Sequence, residues 1–294
     1  QYRIFDIVSR KHVGTLDEDF IALHGLPGTT FVVKGQSWRI VDTDDDVVNV
    51  EPADDIEAAI PAWEGELIPV PFEVAQTALE LKSNVSEMLE NKSTEEIHDY
   101  LTKNYPMDNE TSKLITGSLK KQVKNFGYEK DTVVIEVSGD MVIIHAHFGS
   151  LVNDTIGRAL TFYLSDIIGP VSLRIDPYRI ILKCQRDAKK HIMDFFGNTS
   201  DKELRSYIRE NIHRSDLFTW RFFHNAKRFG AIAKTADLGK ISLKKIVETY
   251  EGSPIYEETM REIFLEKLDF SKASEIINDI KAGNIKVVNA EGLS

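Results

Sequence analysis

A single cysteine, Cys184, stands among 294 residues. An internal disulfide is therefore excluded, as is any multi-thiolate zinc or iron–sulfur site. No apolar run approaches the roughly 18 residues that a membrane helix needs, so no membrane partner is expected. The chain has no G-x-x-x-x-G-K-[ST] phosphate loop, no G-x-G-x-x-G turn, no G-x-S-x-G elbow and no H-E-x-x-H pair, each of which would carry a defined chemistry. An ATPase working from these residues alone has no phosphate cradle, and no cofactor is expected within the chain. Internal repeats, low-complexity tracts and Pro/Gly/Ser-rich linkers are also lacking, so the parts are expected to pack as one body. The chain opens at Gln1 with neither an initiator Met nor a basic-then-apolar leader; the expectation is a piece of a longer, cytoplasmic protein.

What is present is a globular composition, 42% hydrophobic and 28% charged, with a net charge of −11. The charge is unevenly placed. Asp42, Asp44, Asp45, Asp46, Glu51, Asp54, Asp55 and Glu57 fall in one stretch without a Lys or Arg, whereas residues 174–234 carry a local surplus of +7. Net acidity does not exclude a nucleic-acid partner, because binding responds to the local field. It does limit the footprint to part of the surface.

The pattern predicts an α+β fold. Short β-branched and aromatic runs, Tyr2–Val8, Val13–Thr15, Thr30–Val33, Ser37–Val41 and Val47–Val50, are separated by turn residues and suggest a small β-barrel-like module over 1–60. The acidic run 42–46 reads as a solvated hairpin tip, since it lacks the Gly and terminal Glu of an EF-hand loop. Residues 61–184 read as helices and then a mixed α/β body, with a capping box at Ser93/Glu96 and a hairpin across Ser138-Gly-Asp140. Residues 185–294 read as a helical module, with a second capping box at Ser200/Glu203 and an N-cap at Ser253 before Pro254. The last helix should stop near Gly283 and pass into a short strand, Ile285–Val288.

The most informative segment is His213–Gly230. Taken as one helix at 100° per residue, it places Phe218, Phe222, Ala226 and Phe229 on one arc, with Phe223 at its edge. Arg214, Arg221 and Arg228 fall on another, flanked by Leu217, Trp220, His224 and Lys227. Nucleic acid needs fixed cations for phosphates and flat apolar surfaces for bases, and this stripe offers both. The bland alternative is a surface helix with solvated arginines. Trp63, in the proline-bounded crossover Ile60–Glu66, is either a plug between modules or a platform for a base. Trp38, inside a strand, reads as core. His145 and His147 alternate on a predicted strand and offer two metal ligands without a nearby third, so a structural role is the simpler reading. Asp176 before Pro177 is either a catalytic carboxylate or turn chemistry.

Several segments in order resemble the Lhr (large helicase-related) family of superfamily 2 helicases. They are Val13-Gly-Thr-Leu-Asp-Glu-Asp-Phe20, Ser37-Trp-Arg-Ile-Val41, Val50-Glu-Pro52, Pro61-Ala-Trp-Glu-Gly-Glu66, His145-Ala-His-Phe-Gly149 with Asn153, Asp176-Pro-Tyr-Arg-Ile180, His213-Arg-Ser-Asp216, Trp220-Arg-Phe222, Arg228-Phe-Gly230 and Ser253-Pro-Ile-Tyr-Glu257. The likeness covers essentially the whole chain and is to the DEAD/H-associated region, without the two motor domains.

The resemblance implies ATP-driven, 3′-to-5′ helicases acting on DNA–DNA and RNA–DNA duplexes in repair. ATP and Mg would belong to the full-length parent, and the motor domains of that same chain would be partners. It further implies that this region closes over the strand leaving the motor, with Trp63 at the base-contacting position. For Arg214, Arg221, His224, Lys227 and Arg228 two readings stay open. They contact phosphates of a single strand or a duplex junction, or they orient the helix against its neighbours, with Asp216 as a pairing partner one turn away. Two rival functions remain: an independent nucleic-acid enzyme using Asp176 or His145 and His147, and a docking region built on the acidic 42–57 segment.

Overall fold

Alternation of apolar and polar residues makes the N-terminal strands, since successive side chains of a strand point to opposite faces. In a computed structural model these are β1 (Tyr2–Asp6), β2 (Lys11–Leu16), β3 (Thr30–Val33), β4 (Gln36–Asp44) and β5 (Val47–Pro52). The structure describes residues 2–16, 20–21, 25, 27–34, 36–44, 46–53, 68–184, 188–233 and 243–291. The five strands form one sheet in the order β2-β1-β5-β4-β3. Its pairs are antiparallel except β1 with β5, which run parallel.

One face of this sheet buries Ile4, Val13, Leu16, Phe31, Val33, Trp38, Ile40, Val48 and Val50 as a single core. The indole of Trp38 is buried and donates to the Val33 carbonyl at 3.2 Å, as expected of a core Trp. Register shifts between Ile4 and Phe5 and between Ile40 and Asp42 bend the strands and curl the sheet. The acidic run caps the β4–β5 hairpin, with Asp44 paired to Val47 and Asp46 held by Arg3 at 3.1 Å.

Beyond residue 68 come α1 (Phe72–Asn91), α2 (Thr94–Asn104), α3 (Asn109–Gln122), β6 (Thr132–Ser138), β7 (Met141–His145), α4 (Ser150–Ile168), β8 (Val171–Asp176), β9 (Arg179–Cys184), α5 (Lys189–Asn198) and α6 (Asp201–Asn211). A 3-10 turn at Ile212–Arg214 leads to α7 (Asp216–Arg228), α8 (Leu243–Thr249), α9 (Pro254–Glu266), α10 (Phe270–Ala282) and β10 (Lys286–Glu291). The capping box at Ser93/Glu96 forms with both reciprocal bonds. Ser200 and Glu203 likewise exchange bonds, at 2.8 Å and 3.3 Å. Gly283 ends α10 in the left-handed region at φ 80°, a conformation that favours glycine, and the chain then adds β10 as a parallel edge strand beside β6.

The chain divides into two compact units that are not contiguous in sequence. Residues 1–68 join 212–263 in one, and residues 69–211 join 264–294 in the other. In the second unit, the sheet β10-β6-β7-β9-β8 carries α4 packed across β8 and β9. Gly157 lets α4 approach: an added Cβ would lie 3.2 Å from Ile180 and 3.3 Å from Ile175 and Leu173. The apolar run Met141–Phe148 predicts a strand of that length, but β7 stops at His145. Gly149, at φ 82°, caps α4, and an added Cβ there would meet backbone atoms of Val70 and Phe72 at 2.7 Å and 2.9 Å. Asn153 fixes the segment between, donating to the Ala146 and Asp176 carbonyls at 2.7 Å and 2.9 Å.

Candidate nucleic-acid interface

Helix α7 starts where Ser215 accepts a hydrogen bond from the Phe218 amide at 3.2 Å, a good N-cap arrangement. Phe218, Phe222, Phe223 and Ala226 are fully buried, which accounts for one face of the helix. Phe229 is 52% exposed, although as the C-cap of α7 it keeps helical dihedrals and its amide bonds to the Asn225 carbonyl at 2.8 Å. At the other end, Arg214 belongs to the 3-10 turn. The seven-residue rhythm therefore relates only Arg221 and Arg228 within α7.

Those two arginines converge on one carboxylate. Glu262 of α9 is 5% exposed. Arg221 Nε lies 3.5 Å from Glu262 Oε2, and Arg228 makes a tight ion pair with Glu262 Oε1. Asn225, also buried, donates to Glu262 Oε2 at 3.1 Å and to Thr259 Oγ1 at 3.0 Å, and accepts from Arg228 at 2.6 Å. Burial alone would raise the Glu262 carboxyl. Hydrogen bonds from Arg228 and Asn225, then the charges of Arg228 and Arg221, outweigh it and hold the group below the usual glutamate range. This cluster fastens α7 to α9.

The remaining members of the stripe pack on rings. The Arg221 guanidinium lies 5.5 Å from the Trp220 ring, His224 packs edgewise on Trp220 at 4.8 Å, and Lys227 Nζ lies 4.5 Å from the Phe223 ring. Arg214 is exposed and lines a cavity of about 590 Å³ together with His213, Thr219, Val247, Glu248, Glu251 and Tyr256. Tyr256 is braced by Phe218 at 4.9 Å. Of the six sequence-derived site residues, the structure thus brings Arg221, His224, Lys227 and Arg228 onto one helix and puts Arg214 beside a cavity. Trp63 lies outside the described residues, and so does the side chain of Asp216.

The rival catalytic residues sit in the second unit. Asp176 accepts from the Tyr178 amide at 2.9 Å and from Arg179 Nε at 2.8 Å, which makes it the turn residue between β8 and β9. His145 Nε2 pairs with the fully buried Glu136 at 2.8 Å. His147 lies beyond the end of β7 and meets Lys82 Nζ through Nε2 at 2.9 Å. No group of three His, Cys, Asp or Glu could hold a metal ion among the described residues.

Lys82 was not among the sequence candidates, although a signal existed. Ala75, Leu79 and Ser86 are buried on one face of α1, and their 4- and 7-residue spacing places position 82 on the same stripe. A lysine at a core position is out of pattern. Burial first, then the charge of Arg179, lowers its ammonium to about 8 against the opposing effect of Asp176. His147 is pushed down to about 3 by burial, then by Lys82, His145 and Arg179. Tyr128 is pushed up to about 12 by burial and by Glu136.

Comparison with known proteins gives a consistent picture. The DEAD/H associated family matches residues 129–294, more than half of the chain. ATP-dependent helicase Lhr-Core protein 2 of Thermococcus barophilus is 26% identical over 96% of this chain. ATP-dependent helicases Lhr-Core of Methanocaldococcus jannaschii and Saccharolobus solfataricus are 26% and 24% identical over 95%. The chain spans about a third of these relatives, 34% of each. A solved structure of the Mycobacterium smegmatis helicase Lhr, bound to ssDNA and AMP-PNP, shares the fold. Its TM-score is 0.63 at 16% identity, over 94% of this chain and 41% of that one. No described helix is long and apolar enough to cross a membrane. The chain belongs to the DEAD/H associated family and is similar to about a third of the length of the Lhr-Core helicases it matches.

Proposed function

We propose that this region engages nucleic acid as an accessory part of an ATP-dependent, 3′-to-5′ helicase, gripping the tracking single strand while motor domains of the same chain hydrolyse ATP with Mg in the cytoplasm. The observation that carries this reading is Arg214. It is exposed at a cavity of about 590 Å³ that also offers His213 and the braced ring of Tyr256, with Glu248 and Glu251 on the same lining. A cation beside a ring is what a phosphate and its neighbouring base require. Support comes also from the Mycobacterium smegmatis Lhr, described as bound to ssDNA. Trp63 is the proposed base platform. Arg221 and Arg228 act through Glu262 by holding α7 in place, so they are positioning residues, whereas His224 and Lys227 lie along the same helix as secondary contacts. At a duplex junction, DNA–DNA or RNA–DNA, the held strand would be kept from re-annealing.

Fluorescence anisotropy with an oligothymidylate tests the reading. Trp63→Ala should weaken binding by about tenfold, in line with roughly 1–3 kcal/mol per stacked base. Arg214→Gln should weaken it by several fold. Unchanged affinity in both variants would contradict the proposal.

A further inference from the structure

Lys82 is held in a way that packing alone does not require. Its Nζ is 2.9 Å from His147 Nε2 and lies over two rings, 4.9 Å from the centre of Tyr128 and 5.0 Å from that of Tyr178. A charged ammonium only donates, so His147 Nε2 is the acceptor and its ring proton sits on Nδ1. Tyr128 and His147 are buried, while Lys82 and Tyr178 are half-buried. Among the described residues Lys82 has no carboxylate within ion-pair distance. Asp176, the acid whose charge reaches it, is already bonded to Arg179 and to the Tyr178 amide.

A partly buried cation is costly unless an opposite charge compensates it. Here the compensation is a neutral imidazole and two ring faces. A second cation, Arg179, stands close enough to act on Lys82 and is itself half exposed. The buried Glu136 pairs with His145 and acts on Tyr128. Of the charges that reach Lys82, Arg179 is positive and Asp176 negative, so the three groups sum to one positive charge, with Arg179 exposed. Such a surplus next to a partly exposed ring suits an arriving anion, and lysine is a common point-charge ligand of phosphate.

We propose that Lys82, supported by His147 and flanked by Tyr178 and Arg179, forms a phosphate-binding site, occupied by a phosphodiester of single-stranded nucleic acid. The phosphate supplies the counter-charge that the fold omits, and Tyr178 offers a ring to the adjoining base. As to source, this rests on the nucleic-acid reading above; as to chemistry, it does not, because any phosphate group would satisfy the ammonium.

The test is NMR titration of the 13C-labelled lysine side chains of the whole chain, assigned with Lys82→Arg. It is run in chloride, in inorganic phosphate at matched ionic strength, and with an oligothymidylate. An anion at the site stabilises the charged ammonium, so the Lys82 titration midpoint should move upward. Movement with oligothymidylate, together with about a five- to tenfold weaker binding and a salt slope reduced by about 1 in Lys82→Gln, identifies a strand phosphate. Movement with inorganic phosphate alone keeps the site, assigns it to a free phosphate and counts against the strand-gripping function. A Lys82 midpoint that neither probe moves overturns the proposal and makes the cluster a structural cage. The wild-type titration decides this even if Lys82→Gln fails to fold.

Discussion

Glu262 has two positively charged neighbours and a buried amide donor, and its removal tests what the arginines of α7 are for. Glu262→Gln leaves Arg221 without its counter-charge in a largely buried setting. The variant should lose about 1–3 kcal/mol in urea unfolding at neutral pH, the usual cost of orphaning a buried charged hydrogen-bond partner. Its native carboxyl is held below the ordinary 4.5. Wild-type stability from this group is thus complete above that value and lost as pH falls through the lower native one; Glu262→Gln should flatten that part of the acid limb.

Lys82 has the opposite sign of effect. Its native value of about 8 lies below the ordinary 10.5. Below pH 8 the folded chain carries a poorly compensated charge, and between pH 8 and 10.5 the unfolded chain binds the proton more tightly. Stability from this group therefore rises with pH across that window. Lys82→Met should stabilise the chain at pH 7 by on the order of 1–3 kcal/mol, and the gain should vanish by about pH 10.5, as followed by thermal melts over pH.

At the scale of elements, the short-range signals were those that local chemistry fixes. A Ser three residues before a Glu closes a capping box whatever lies elsewhere in the chain, so Ser93/Glu96 and Ser200/Glu203 were legible, as was the stop at Gly283. The strands of the first sheet were legible because one face alone is buried, which forces alternation. The ends of α7 were not. A helical wheel carries no information about the 3-10 turn that takes Arg214 off the helix, and Glu262 lies too far along the chain for spacing to pair it with Arg221. Nor did alternation reveal that the chain leaves β7 at His145. The close backbone approach at Gly149 is also non-local. Gly149→Ala should destabilise by well over the ~1 kcal/mol of an ordinary left-handed glycine replacement, because the Val70 and Phe72 backbone must also move. Ser215→Ala should cost about 1 kcal/mol through the α7 N-cap. Circular dichroism melts of the two variants give both numbers.

For the molecule as a whole, the two units each take residues from both halves of the sequence, an arrangement that a division along the chain cannot express. The overall charge of −11 coexists with a surplus of +7 over residues 174–234. Part of that surplus is consumed by Glu262, which lies outside the stretch and pairs with Arg221 and Arg228. The contacts proposed are few: Arg214 within that stretch, and Lys82 outside it if it takes a phosphate. Binding by this region should accordingly be modest, sequence-tolerant and sensitive to salt.

The central claim is that the region meets nucleic acid through a few fixed cations, and the salt dependence of oligothymidylate affinity measures their number directly. For single strands, the slope of log K against log salt is about −0.7 per phosphate neutralised. The expected wild-type slope corresponds to a handful of contacts, and Arg214→Gln should remove close to one of them. An affinity that is unchanged between about 50 and 200 mM salt, or a slope identical in wild type and Arg214→Gln, would contradict it.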